Sequence, residues 1–71
     1  MTRDEHLAWA KTRALEYLDA GDLTNAFASM GSDLSKHVEL RRIGSIMFPL
    51  GMLYVQEHDV RQLRAWIEGF R

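Results

Sequence analysis

Apolar residues recur along the chain at intervals of three and four, which is the spacing of one face of an α-helix. In the first half this spacing predicts two helices, and their apolar stripes are Leu7, Ala10, Ala14, Tyr17 and Leu18, then Leu23, Ala26, Phe27, Met30 and Leu34. The second half predicts two more, with stripes Leu40, Ile43, Met47, Leu50 and Leu53, then Val60, Leu63, Ile67 and Phe70, with Trp66 beside the last. The pattern therefore predicts an all-α protein of four short helices.

Capping residues mark where these helices begin and end. Thr2 and Glu5 have the spacing of a capping box, in which each side chain accepts a hydrogen bond from the other residue's backbone N–H. Gly21 suits a left-handed helix end, and Asp22 follows it directly as an N-cap. Asp59 is the corresponding cap of the fourth helix. Junctions this short predict antiparallel αα-hairpins.

The two halves are related by a shift of 37 residues, which places Tyr17 on Tyr54, Asp22 on Asp59 and Leu23 on Val60. This spacing is close to the tetratricopeptide period, and residues 50–54 fit the L-G-x-x-Y part of that pattern. Solenoids usually need at least three repeats, however. We therefore expect one compact helical bundle over residues 1–71, with hairpins at 3–37 and 38–71, and keep tetratricopeptide-like hairpins as the alternative.

The third helix, expected over Val38–Gln56, has two unusual features. Pro49 lies inside it and lacks a backbone donor, so we expect a kink or a break near Phe48. Residues 46–54 are also apolar on almost every side, and four short helices can hardly enclose such a segment. It is either a subunit or partner interface or intramolecular core. The side chains that such an interface would use are Met47, Phe48, Met52 and Tyr54.

Size and charge narrow the possible functions. A chain of 71 residues has a marginal core of its own, and the absence of cysteine excludes disulfides and thiolate zinc sites. A net charge of −1 argues against a protein that wraps nucleic acid, since such proteins need a positive excess to displace counterions. The N-terminus has no apolar signal segment, and the most apolar stretch, residues 43–55, is too short to cross a bilayer. We therefore expect no membrane association.

No catalytic or metal-binding pattern is recognisable. His6, His37 and His58 lie in separate segments, and none belongs to a metal-binding helical pair. The acidic residues flanking His58 fall at an expected turn, where polar caps are normal. The serines lack a nucleophile elbow, and Asp19 and Asp22 lack the cleft that paired-carboxylate chemistry requires. We expect no enzyme activity and no cofactor.

Arginines are the remaining candidates for binding. Arg41 and Arg42 open the third helix, and Arg61 and Arg64 share a face of the fourth. If the fourth helix packs back near the start of the third, these side chains form a basic patch suited to phosphates or acidic protein surfaces. The alternative is a solvated helix face on which glutamates alternate with the arginines.

Several segments resemble a family of small uncharacterised proteins of tailed bacteriophages and prophages. They are residues 2–9, 13–23, 26–30 and 32–34, the Lys36-His37 pair, and residues 67–70. Between Val38 and Arg64 the resemblance is weak, because the family has a proline and small polar residues where this chain continues Val38-Glu39-Leu40-Arg41-Arg42. The resemblance implies a viral or prophage origin and the bacterial cytoplasm, but no particular activity.

The leading hypothesis is a non-enzymatic helical interaction protein of phage or prophage origin. It would self-associate through the third helix and bind a host or viral macromolecule, and an inhibitor of host defence, such as an anti-CRISPR protein, is one form of such a protein. The alternative is a nucleic-acid-binding regulator of helix-turn-helix type. Two tight helical junctions and the arginines favour that alternative, and the net charge disfavours it.

Overall fold

Four α-helices account for most of the chain, and each begins directly after the residue that caps it. The computed structural model describes residues 2–71, so Met1, the first residue of the expected domain, lies outside it. The helices are α1 (Arg3–Asp19), α2 (Leu23–Ser35), α3 (Val38–Gln56) and α4 (Val60–Glu68). Residues 2–71 contain no β-strand. The prediction of an all-α bundle is confirmed.

The predicted caps are present at the helix starts. The Thr2 hydroxyl accepts a hydrogen bond from the Glu5 backbone N–H at 3.2 Å, and the Glu5 carboxylate accepts one from the Thr2 N–H at 3.0 Å. The hydrogen bond from the Thr2 backbone N–H is the main cause of a lowered pKa at Glu5, and the hydrogen bond with the Thr2 side chain lowers this pKa further. The cap therefore stabilises α1 at neutral pH, and this contribution is lost as the pH falls through that lowered value. The Asp22 and Asp59 carboxylates cap α2 and α4 by accepting hydrogen bonds from the backbone N–H groups of Asn25 and Gln62.

The two hairpin turns share one backbone conformation. Gly21 has φ +80° and His58 has φ +57°, so both lie in the left-handed region. The next residue closes each turn, with the Asp22 N–H donating to Tyr17 at 3.0 Å and the Asp59 N–H donating to Tyr54 at 2.9 Å. This is a Schellman closure at both sites. The shift of 37 residues seen in the sequence thus places His58 where the first hairpin has glycine.

The helices pack around a single core. α2 lies between α1 and α3, and α4 returns to contact both α1 and α3. α4 runs antiparallel to α1, because Arg64 bonds Asp19 at one end while Lys11 donates to the Glu68 carbonyl farther along. The return of α4 to α1 closes the bundle, which favours the compact arrangement over an open tetratricopeptide-like stack. The fully enclosed apolar side chains include Met30, Leu34, Leu40, Leu63 and Ile67.

Proline does not interrupt α3. The helix continues through Pro49 from Val38 to Gln56, so of the expected kink or break near Phe48 the break is wrong and the kink stays a prediction. Pro49 deprives the Ser45 carbonyl of its helical donor, but both residues are on the exposed side of α3, where solvent has access to that carbonyl. The opposite side is packed: the Trp66 indole N–H donates to the Met47 carbonyl at 3.1 Å. Packing on one side thus maintains the helix despite the proline on the other.

Some residues of the predicted stripes are not in the core. Tyr17, Leu50, Leu53 and Val60 are each at least 40% exposed, although the spacing had placed them inward. Trp66, expected only beside the stripe of α4, is buried. For Leu50 and Leu53 the cause is the orientation of α3, whose buried positions are Leu40, Gly44 and Gly51. The glycine-bearing side faces α2 and Trp66, so the leucines farther round the helix face solvent.

The left-handed conformation of His58 yields a prediction about stability. The left-handed conformation of a non-glycine residue lowers stability by on the order of 1 kcal/mol relative to glycine. His58 has this conformation, and it is exposed. We expect His58→Gly to increase the free energy of unfolding by about 0.5–1 kcal/mol in chemical denaturation. Gly21→Ala is the matched opposite change, and it should lower the free energy of unfolding by about 1 kcal/mol. Destabilisation by His58→Gly would contradict this account.

Gly51 yields a second prediction, since the surface of α3 is very close to α4 there. A Cβ at this position would lie 2.6 Å from Trp66 Cζ2 and 2.9 Å from Phe27 Cδ1, and both atoms belong to rigid rings. We expect Gly51→Ala to lower the free energy of unfolding by about 1–3 kcal/mol, even though alanine favours helix more than glycine does. Ser45→Ala, on the exposed side of the same helix, should change it by less than about 0.5 kcal/mol.

Candidate protein-binding surface

The side of α3 that faces away from the other helices is largely apolar. Its central residues are Ile46, Pro49, Leu50 and Leu53, which are all exposed. Ile46 is 67% exposed and Leu53 is 44% exposed, although such side chains are usually buried. Arg42 lies at one end of this row and Glu57 at the other. We call these six residues the outer strip.

Helical geometry explains why the outer strip is free. At about 100° per residue, Ile46 and Leu53 lie roughly opposite Gly44 and Gly51, which are the closest points of contact with the rest of the bundle. A Cβ at Gly44 would lie 3.3 Å from Leu34 Cδ1 on α2, so that side leaves little room for larger residues. Because glycine occupies these inner positions, Ile46, Leu50 and Leu53 lie on the outside.

A shallow groove lies beside the outer strip, between α3 and α4. It has a volume of about 370 Å³ and is mainly apolar. The side chains and backbone that line it belong to Ile43, Met47, Leu50, Tyr54, Ala65, Trp66, Gly69, Phe70 and Arg71. Leu50 belongs to both the groove and the outer strip, so the two form one continuous surface.

The four apolar residues expected at an interface have different positions. Met47 and Tyr54 line the groove and are half-buried. Met52 is 44% exposed but lies on another side of α3, about 160° around the helix from Leu50. Phe48 packs inward, edge-on to Phe27 with ring centroids 5.8 Å apart. Phe48 is thus largely a packing residue, whereas Met47 and Tyr54 are at the candidate surface.

The expected basic patch is not assembled. Arg64 donates to the Asp19 carboxylate at 2.6 Å, which raises the pKa of Arg64, chiefly through this side-chain hydrogen bond. Arg41 instead donates to the Ser35 carbonyl at the end of α2. The end of α2 lies beside His6 in the first turn and a half of α1, whereas Asp19 is the last residue of α1, and α1 is roughly 25 Å long. Arg41 and Arg64 therefore lie near opposite ends of the bundle.

The other two arginines of the expected patch are also exposed and apart. Arg42 is on α3 and Arg61 on α4, and neither forms an ion pair within residues 2–71. The Arg71 backbone carbonyl accepts a hydrogen bond from the Arg3 guanidinium. The solvated-face alternative describes these side chains better than a phosphate-binding cluster does.

A buried carboxylate between α1 and α2 was not anticipated from the sequence. The Asp33 side chain is only 1% exposed, and it pairs with Arg13 at 3.3 Å and Lys36 at 3.4 Å. The Arg13 guanidinium also lies 4.8 Å from the centre of the Trp9 ring, and His6 contacts the Asp33 carbonyl at 2.6 Å. Since two cations offset the buried charge and the group lies in the helix contact, we interpret this cluster as structural.

The residues of the outer strip were only partly identifiable in the sequence. Leu50 and Leu53 were assigned to the core, and Ile46 was included only in the apolar segment. One available signal was the pair Gly44 and Gly51, which are two helical turns apart. Glycines at that spacing on an apolar helix indicate where a neighbour approaches closely, and the opposite side is then the exposed one.

Comparison with known proteins identifies no relative. No family model matches this chain, and no curated protein or solved structure is significantly similar to it. The phage and prophage origin suggested by the resemblance therefore stays a prediction. Among residues 2–71, no three histidine or acidic side chains are grouped so that they could hold a metal ion. Within the same residues, no helix has the length and apolar character needed to cross a bilayer.

If the outer strip serves binding, its residues should contribute little to folding. We expect Ile46→Gln to change the free energy of unfolding by less than about 0.5 kcal/mol in dilute protein, because the side chain is already in water. Ile67→Gln is the matched control in the fully enclosed core, and it should lose about 3 kcal/mol or more. Comparable losses at both positions in chemical denaturation would show that Ile46 is part of the core.

Proposed function

We propose that this chain is a non-enzymatic helical protein that binds another protein through the outer strip of α3. The observation that carries the proposal is the position of Ile46, Leu50 and Leu53. These three branched apolar side chains are exposed on a 71-residue domain whose core is otherwise well enclosed. Contiguous apolar patches of this kind typically mark interaction sites on soluble domains.

The energetics support binding through this surface. Removing apolar surface from water gives about 25 cal/mol per Å², or about 1.5–3 kcal/mol for a fully buried leucine or isoleucine. The strip has an apolar centre with a charged residue at each end, and this resembles the core and rim of known interfaces. The adjoining groove provides further apolar surface, including half-buried Met47 and Tyr54.

The origin and location proposed for the protein follow from the resemblance of its first half to phage and prophage proteins. On that basis its setting is the bacterial cytoplasm, and its target is a host or viral macromolecule, with inhibition of a host defence system as one form of the activity. The separation of Arg41 from Arg64, together with the net charge of −1, gives no support to nucleic-acid binding.

Site-specific photo-crosslinking in bacterial cells tests the proposed function. A benzophenone amino acid replaces Ile46 or Leu53 in the full chain, and Ala28, exposed on α2, is the control position. Because a zero-length crosslinker reports only what touches it, we expect protein adducts from positions 46 and 53 and none of the same adducts from position 28. Denaturing gels and mass spectrometry read the products. The same adducts at all three positions would contradict the proposal.

A second substitution tests whether the apolar surface itself is responsible. Leu53→Asp, introduced into the chain that carries the crosslinker at position 46, should abolish most of the adduct because a charge would be buried at the contact. Ala28→Asp in the same chain should leave the adduct unchanged. Equal adduct yields from the Leu53→Asp and Ala28→Asp variants would show that the crosslink does not depend on the apolar surface of the strip.

A further inference from the structure

The outer strip has an internal symmetry in its sequence. The strip extends from Arg42 to Glu57, and the Pro49–Leu50 bond divides this segment into two halves of eight residues each, 42–49 and 50–57. Arg42 and Glu57 are therefore equally distant from this bond, with opposite charges. Ile46 and Leu53 are equally distant from it too, and both are apolar. The strip is thus complementary to an identical strip that runs in the opposite direction.

We infer that the partner of the outer strip is a second copy of this chain, packed antiparallel about a two-fold axis near the Pro49–Leu50 bond. The inference rests on the proposed function, since it uses the same surface. In this arrangement Arg42 faces Glu57 of the second copy, and Ile46 faces Leu53 of the second copy. A two-fold axis repeats both contacts, so the dimer has two ion pairs that enclose an apolar centre.

Charge explains the antiparallel direction. In a parallel pair about a two-fold axis, each residue faces its own copy, so Arg42 would meet Arg42 and Glu57 would meet Glu57. Like charges in contact disfavour such a pair. Both side chains are exposed, and neither has an ion-pair partner within residues 2–71, so both are available. Arg64, by contrast, is already paired with Asp19.

The size of the strip sets the expected affinity. With a rise of 1.5 Å per residue, the segment 42–57 that carries the strip extends over roughly 22 Å. One helix of this length buries less than the roughly 800 Å² per partner that is typical of stable complexes. The dimer should therefore form at micromolar concentration and dissociate on dilution. The two exposed leucines and Ile46 provide its apolar contacts.

Sedimentation equilibrium of the full chain tests this inference, over a range from about 1 µM to about 1 mM. We expect wild type to change from monomer to dimer within that range, and Arg42→Glu to raise the dissociation constant about tenfold or more, because it creates two Glu–Glu contacts. Glu57→Arg should do the same through two Arg–Arg contacts. Arg61→Glu and Glu16→Arg make the same charge changes at exposed sites off the strip and should leave dimerisation unaltered.

Mixing the two strip variants gives a sharper test. In a pair formed by Arg42→Glu and Glu57→Arg chains, both contacts again join opposite charges. We expect the mixture to form a heterodimer at concentrations where each variant alone is monomeric, and the double variant to dimerise like wild type. Circular dichroism verifies that every variant is folded. Failure of the mixture to associate, or dimerisation unaffected by Arg42→Glu, would overturn the antiparallel arrangement.

Failure of this inference and failure of the proposed function give different results. Wild type that remains monomeric up to about 1 mM, with adducts at position 46 containing only other proteins, overturns self-pairing and leaves the proposed function intact. Absence of any strip-specific adduct overturns both. Adducts at position 46 with twice the mass of the chain, sensitive to Arg42→Glu, support both.

Discussion

The close contact between Trp66 and Gly51 is the constraint on which the rest of this structure depends. It places an indole ring directly on the backbone of α3, where a Cβ could not fit, and the ring N–H bonds the Met47 carbonyl. The same ring contacts Phe27 from α2 and Phe70 after α4. One side chain thereby fixes α4 on α3 and joins both to α2, so it determines which side of α3 is inside.

That orientation has a direct functional consequence. Because α3 uses glycines for its closest contacts, most of its large apolar side chains that face the core are only partly buried, and Ile46, Leu50 and Leu53 are left in the outer strip. The core of this small domain is supplied mostly by α1, α2 and α4, with Leu40 as the one large residue of α3 that is fully enclosed. The packed surface and the proposed binding surface are therefore opposite sides of one helix, so substitutions on the outer side should leave the core intact.

The two hairpins show that equal turns do not produce equal packing. Both close with a residue in the left-handed conformation and with equivalent hydrogen bonds, yet a groove separates part of α3 from α4 in the second hairpin. The first hairpin buries the small side chains of Ala10 and Ala14. In the second, the larger side chains of Met47, Tyr54 and Trp66 line the groove. The internal repeat thus preserves the structure of the turns but not the packing between the two helices of each hairpin.

The sequence by itself determined the features that depend on near neighbours. Helix boundaries, the Thr2–Glu5 capping box, the left-handed turn at Gly21 and the Asp59 cap follow from residues within one or two turns, so periodicity and capping rules predicted them. Tertiary structure alone decided which side of α3 is buried, because residues 46–54 are apolar on almost every side and give the helix no clear inward direction. The exposure of Leu53 followed from that choice, which depends on a tryptophan fifteen residues from the glycine it covers.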